Sequence, residues 1–216
     1  MTAQDGQGLT PQMLLAGYAQ GIFPMATSRS ESRLHWFEPQ WRGVIPLQNF
    51  HMSRSLARRL RRGNITFRLN ADFDGVVRHC ADRDETWINA PLFDLYRALF
   101  ALGHAHALEV WEGAELAGGL FGISLGGAFF GESMFSRRTD GSKMALVCLV
   151  DRLRQSGFTL CDTQYLTPHL ASLGGVEISR AAYRKELAAA LRVQTDFTTL
   201  PLATAQEVVQ RMTQTS

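Results

Sequence analysis

Hydrophobic and polar positions along the chain change period several times, and each change predicts an element. From residue 105 onward apolar residues alternate with small or polar ones and are punctuated by Glu-Gly and Gly-Gly pairs, which predicts antiparallel strands at 107–111, 115–124 and 127–134. A helical period follows over 143–155, where Leu146, Leu149 and Leu153 form one apolar stripe before Gly157 stops the helix. The apolar run 158–162 then reads as a strand reached by a helical crossover. Upstream, Thr10 as N-cap and Pro11 at the first helical position start a short amphipathic helix that Gly21 and Pro24 end. A turn-rich stretch covers 25–39. Strands at 43–46 and 65–69 and helices at 53–62, 72–80, 91–102 and 180–191 complete the pattern. The order, a meander and then a helix and a further strand, predicts an α+β fold with a small N-terminal unit at 1–40 and one larger domain at 41–216.

Composition adds limits. At 216 residues, 45% hydrophobic and 19% charged, the chain is of ordinary globular character. No apolar run approaches the roughly 20 residues of a bilayer span, and the first ten residues lack a basic-then-apolar signal pattern, so a cytosolic location is expected. Cys80, Cys148 and Cys161 are widely spaced, which fits reduced thiols better than a disulfide framework. His104 and His106 alternate on a strand without a third ligand nearby, so neither metal nor cofactor is expected. The net charge of +2 is small, but Arg54, Arg58, Arg59, Arg61 and Arg62 crowd one helix with no acid among them. That face is either a solvated surface or a receptor for polyanion.

Two short segments offer chemistry. In GGAFFGESMFSR, strict alternation puts Phe130, Glu132 and Met134 on one face, so Glu132 is either an exposed strand end or a carboxylate lining a cleft. In CDTQ, Asp162 and Gln164 share a face two residues apart, with Cys161 pointing away. One can orient the other, or Asp162 can cap the next turn.

The segments GIFPM, FHMSRSL, TWINAPL, LGHAHALEVW, FFGESMFSR and CDTQYLTPHLASLGG resemble, in order, the signature segments of the leucyl/phenylalanyl-tRNA protein transferases. The resemblance implies an acetyltransferase-like (GNAT) catalytic domain behind a small N-terminal domain. It implies transfer of Leu or Phe, with Met as a third donor, from aminoacyl-tRNA to proteins beginning with Arg or Lys, marking them for N-end-rule degradation. By position, Asp162 and Gln164 match the catalytic pair and Glu132 an acid of the peptide-binding cleft. Trp87 matches the aromatic that stacks on the terminal adenosine. Leu120, Phe129, Leu146, Leu149 and Leu153 match the side-chain pocket, and Arg54, Arg58, Arg61 and Arg62 the tRNA-binding cluster. The chain departs from the family at Met25, where FPW is usual, leaving Trp36 or Trp41 to supply a second stacking ring. An acyl-CoA acetyltransferase on the same fold would need a Gly-rich phosphate loop, and RRTDGS is not one. An RNA-binding module without catalysis would leave GESMF and CDTQ unexplained.

Overall fold

The computed structural model describes residues 3–5 and 8–214. The N-terminal part is a three-stranded antiparallel sheet of β1 (Ala3–Asp5), β2 (Phe23–Met25) and β3 (Arg33–Phe37), in the order β1-β3-β2, with α1 (Pro11–Ala19) between the first two strands. Thr10 caps α1 by accepting from Met13 N–H at 3.2 Å. The stretch expected as turns therefore contains a strand, β3, whose Leu34 is fully buried.

The rest is a seven-stranded sheet built from β4 (Trp41–Val44), β5 (Ile65–Leu69), β6 (Ala105–Glu112), β7 (Glu115–Leu125), β8 (Ala128–Ser136), β9 (Leu160–Gln164) and β10 (Val176–Ser179). Its order is β10-β4-β9-β8-β7-β6-β5. Among the described strands only β8 and β9 run parallel, which requires a crossover, and α5 (Gly141–Gln155) supplies it. The α+β class is as expected, and the sheet is large and mixed. β9 begins two residues later than the apolar run suggested, because residues 158 and 159 are irregular chain between the turn at 156–157 and the strand.

Two apolar cores cover the two faces. On one, α2 (Arg54–Arg62), α5 and α8 (Ala205–Gln214) pack Leu56, Leu60, Leu146, Leu149, Leu153, Val208 and Met212 against β5 to β9. On the other, α3 (Phe73–Ala81), α4 (Ala90–Ala101) and α7 (Arg180–Ala190) bury Val76, Val77, Leu92, Leu99 and Leu187 together with Leu14, Tyr18 and Phe23 of the N-terminal part. The short helix α6 (Pro168–Ala171) follows β9. The sequence reading missed β10 and α8. β10 has only four residues and is recruited by pairing with β4, so it carries no periodic signal of its own.

The feature that shapes the site is a pair of adjacent bulges. β8 and β9 pair only from Ala128–Leu160 to Phe130–Asp162. Just beyond, Phe121 faces Ser133 while Gly122 faces Gly131, leaving Glu132 as the extra residue of β8. In β9, Val44 faces Asp162 while Gly43 faces Gln164, leaving Thr163 extra. Bulges bend strands and re-aim side chains, and these two end the ladder at one level and open a cleft. The β8 bulge also corrects the expected alternation. Glu132 shares the Phe130 face, but Met134 packs on the opposite core while Phe135 joins Phe130.

Candidate active site

A cavity of about 880 Å³ occupies that cleft, within the range of small-molecule sites. Its apolar side is formed by Leu120, Met134, Leu146, Leu149 and Cys161. Glu132, Thr163 and Gln164 line it where the bulges open, Phe23, Pro24, Met25 and Tyr165 border it from one direction, and His79, Arg83 and Trp87 from another.

Glu132 is held by groups from three elements. Tyr18 of α1 donates its hydroxyl to Oε1 at 2.8 Å, Tyr96 of α4 donates to Oε2 at 2.7 Å, and Gln164 Nε2 donates to Oε1 at 3.3 Å. A carboxylate offers about four lone-pair sites, so one on Oε2 stays open. Desolvation pushes Glu132 up to about 7 and the Asp162 charge adds to it, against the lowering pull of the two tyrosyl hydrogen bonds. Burial, with the nearby Glu132 charge, raises both phenols well above their usual range, so they remain donors.

Asp162 is fully buried and fully engaged. Its Oδ1 accepts from Arg42 Nε at 2.9 Å and from Gln164 N–H at 2.8 Å, and its Oδ2 from Arg42 Nη2 at 2.6 Å and Tyr183 hydroxyl at 2.7 Å. All four acceptor sites are filled, so Asp162 has none left for a substrate. It grips the backbone of Gln164 rather than its side chain, which corrects the expected side-chain pairing. That grip accompanies a left-handed Gln164, at φ 58°, a conformation disfavoured without a Gly. Gly43 makes the turn possible, since a Cβ there would meet Leu166 N at 2.7 Å and the Tyr165 carbonyl carbon at 2.8 Å.

Trp87 borders the cavity from the α3–α4 connection. Asn89 fixes that connection by capping α4 through Leu92 N–H at 3.0 Å while its amide donates to Glu31 O at 2.6 Å. Leu120, Leu146 and Leu149 line the cavity, whereas Phe129 and Leu153 lie outside the lining in the core behind it. The leucine stripe of α5 is thus divided between wall and core. Trp36 and Trp41 do not line the cavity either. Trp36 covers Gly17, where a Cβ would approach its ring to 2.3 Å. Met25 borders the cavity itself, and the exposed aromatic beside it is Tyr165, edge-on to Phe23 at 5.6 Å.

Arg54, Arg58, Arg61 and Arg62 are exposed on α2, away from the cavity lining, while Arg59 pairs with Glu112 at 3.3 Å. His106 is buried, bonded to Ser124 Oγ at 3.0 Å and lowered to about 4 by burial, and among the described residues no acid, His and Cys cluster is placed to hold a metal. The cysteines are buried and free, with burial pushing Cys80 up to about 12. No helix among the described residues is long and apolar enough to cross a membrane.

Sequence reasoning missed Arg42, Tyr18, Tyr96 and Tyr183. Their contacts to Asp162 and Glu132 span 21 to 120 positions. The one available signal was the requirement that a buried acid find donors.

The Glu132 shift has a stability consequence. A carboxyl that keeps its proton to higher pH when folded contributes stability in acid, which is lost as pH rises from the ordinary carboxylate range through about 7. Glu132→Gln cannot ionise, so its thermal midpoint is expected above wild type at about pH 8, with the gap closing by about pH 5. A variant melting below wild type at the higher pH would mean that the charged bonds from Tyr18 and Tyr96 outweigh desolvation.

Comparison with known proteins identifies the group to which this arrangement belongs. The profile described as leucyl/phenylalanyl-tRNA protein transferase matches residues 44–188, and that of its N-terminal domain matches residues 8–40. The chain is 59% identical over 209 residues to a leucyl/phenylalanyl-tRNA protein transferase of Cereibacter sphaeroides, covering 96% of this chain and 98% of that one. It is 58% identical over 208 residues to that of Ruegeria sp. (strain TM1040), covering 96% and 99%. Among solved structures, L-PGS from Bacillus licheniformis matches with a TM-score of 0.43 at 13% identity, covering 74% of this chain and 55% of that one. On the strength of the profile and these relatives, the chain belongs to the leucyl/phenylalanyl-tRNA protein transferase family of aminoacyltransferases.

Proposed function

We propose that the chain transfers a leucyl or phenylalanyl group, with methionyl as a third donor, from charged tRNA to the amino terminus of cytosolic proteins beginning with Arg or Lys, marking them for N-end-rule degradation. In the same reading residues 41–216 form an acetyltransferase-like domain behind an N-terminal domain of residues 1–40. The observation that carries it is the cavity itself, which joins an apolar wall of Leu120, Leu146 and Leu149 to Glu132 and Gln164 at the open bulges. An apolar wall favours an aliphatic or aromatic side chain by about 0.8 kcal/mol per buried methylene and excludes a charged one.

The donor is an activated ester, so the chemistry needs an aligned, unprotonated amine and a path for one proton. The acceptor amine docks at the open lone pair of Glu132 Oε2. Its nitrogen attacks the ester carbonyl, the C–N bond forms, the bond to the ribose oxygen breaks, and the amine's proton ends on that oxygen. Glu132, near 7, titrates just below an α-amino group at about 7.7 to 8 and accepts a proton from the attacking amine as the C–N bond forms, the proton that then passes to the ribose oxygen. Gln164 positions the amine beside Glu132. Asp162, saturated by Arg42 and Tyr183, is a positioning residue that sets the Gln164 backbone. The anionic form of Glu132 also favours a cationic first residue on the acceptor. Trp87, at the cavity edge, stacks on the terminal adenosine.

Labelled leucyl- or phenylalanyl-tRNA incubated with peptides beginning with Arg, Lys, Asp or Ala tests the reading. Label on Arg and Lys peptides alone is expected. No label on any peptide, or equal label on all four, overturns it.

The exposed arginines of α2 are assigned to the tRNA acceptor stem. Replacing Arg58, Arg61 and Arg62 with Ala is expected to weaken charged-tRNA binding and flatten its salt dependence, since each phosphate contact releases counterions. Transfer from a minimal aminoacyl-adenosine should change little. Equal losses with both donors would remove the cluster from tRNA recognition.

A further inference from the structure

We infer that Phe197, a residue outside the cavity lining, sets the depth of the apolar pocket and with it the preference between donors. The inference rests on the proposed transfer activity and adds a specificity-determining residue to it. The pocket wall is two layers thick. Leu149 lines the cavity, and Leu153, one turn further along α5, does not. Cys161 lines it, and Phe129, its register partner on β8, does not. Phe129 and Leu153 are therefore the layer behind the wall, both fully buried. Phe197, which also does not line the cavity, stacks on Phe129 in the same core, with ring centroids 5.0 Å apart and planes at 25°.

Phe197 is held on every side. Its ring packs on His106 at 4.6 Å and edge-on to Phe158 at 5.9 Å. Its segment belongs to no helix or strand and is fastened by Arg152 of α5. Arg152 donates Nε to Phe197 O at 2.7 Å, Nη2 to Leu200 O at 2.7 Å and Nη1 to Pro201 O at 3.1 Å. A guanidinium buried to satisfy three carbonyls locks one strap in one place. A close-packed interior transmits volume changes to the next layer. Shortening Phe197 therefore lets Phe129 and the wall before it retreat, which enlarges the pocket without altering any residue that touches the donor.

The test measures transfer kcat/KM from leucyl- and phenylalanyl-tRNA for wild type, Phe197→Leu, Phe197→Ala and Phe100→Leu. Phe100 stacks on Phe73 at 4.4 Å in the opposite core, so its truncation controls for a general loss of stability. One methylene in direct contact with an apolar pocket is worth roughly 10- to 200-fold in selectivity, and a change one layer removed is felt only in part. The Phe-to-Leu ratio is expected to rise about three- to tenfold in the Phe197 variants, through loss of the leucyl reaction more than gain of the phenylalanyl one. It should stay at the wild-type value in Phe100→Leu. Folded Phe197 variants with an unchanged ratio, or a Phe100→Leu ratio that moves equally, overturn the inference while leaving transfer intact. Absence of transfer from wild type with either donor would instead remove the functional reading beneath it. If Phe197→Ala does not fold, Phe197→Leu decides.

Discussion

Replacing Glu132 with Gln is expected to slow transfer by about 10²- to 10⁴-fold, the range usual for loss of a positioned acid–base group. The shape of the site survives the change, because Gln is nearly isosteric and Tyr18 and Tyr96 still have an amide to bond. What is lost is the proton acceptor and the negative charge. Donor binding should persist, since the apolar wall and Trp87 are untouched. The signature is therefore a fall in kcat with near-normal affinity for charged tRNA, measured by single turnover at saturating donor. A Glu132→Gln protein that transfers at the wild-type rate would reassign Glu132 to structure.

The second large effect concerns Asp162 and falls on stability before it falls on rate. Asp162→Asn leaves the Arg42 guanidinium buried, 1% exposed, without its counter-charge. Breaking a buried ion pair from one side costs about 3 to 5 kcal/mol, a large share of a typical domain's stability. It also puts an amide nitrogen where one of the donors from Arg42, Tyr183 and Gln164 N–H now finds an acceptor. A steep drop in thermal midpoint is expected, with a slower rate per folded molecule because the Gln164 backbone loses its anchor. Gln164→Ala differs, since it frees only a 3.3 Å contact to Glu132 and should melt close to wild type. If Asp162→Asn melts like wild type, the Arg42 pair does not carry the load assigned to it.

Local chemistry explains what could be read in advance. Thr10 and Asn89 cap their helices through side-chain oxygens, as their positions before apolar runs suggest. The meander β6 to β8 follows from alternation and its turns. The site itself was legible only as isolated letters. Nothing near Asp162 in sequence announces Arg42, because a salt bridge across 120 positions leaves no period. Tyr18 reads as one more apolar residue of α1 until the fold brings its hydroxyl to Glu132. The bulges at Glu132 and Thr163 were invisible for a related reason. Strict alternation fits β8 on either side of the slip, and it is the pairing with β7 that absorbs the extra residue. That single slip is what moved Met134 to the other core. Phe129 and Leu153 were assigned to the pocket by resemblance, and the depth at which the cavity stops is a packing property that no spacing records.

The pH dependence of single-turnover transfer tests the central claim most directly, using labelled leucyl-tRNA and an Arg-initiated peptide with wild type and Glu132→Gln. A proton acceptor must be ionised to act, so the wild-type rate should rise through an inflection near 7, below that of the peptide's own amine at about 7.7 to 8. Glu132→Gln should keep only the amine inflection, at a far lower rate. Matching profiles in the two proteins, or no transfer by wild type at any pH, would contradict the account.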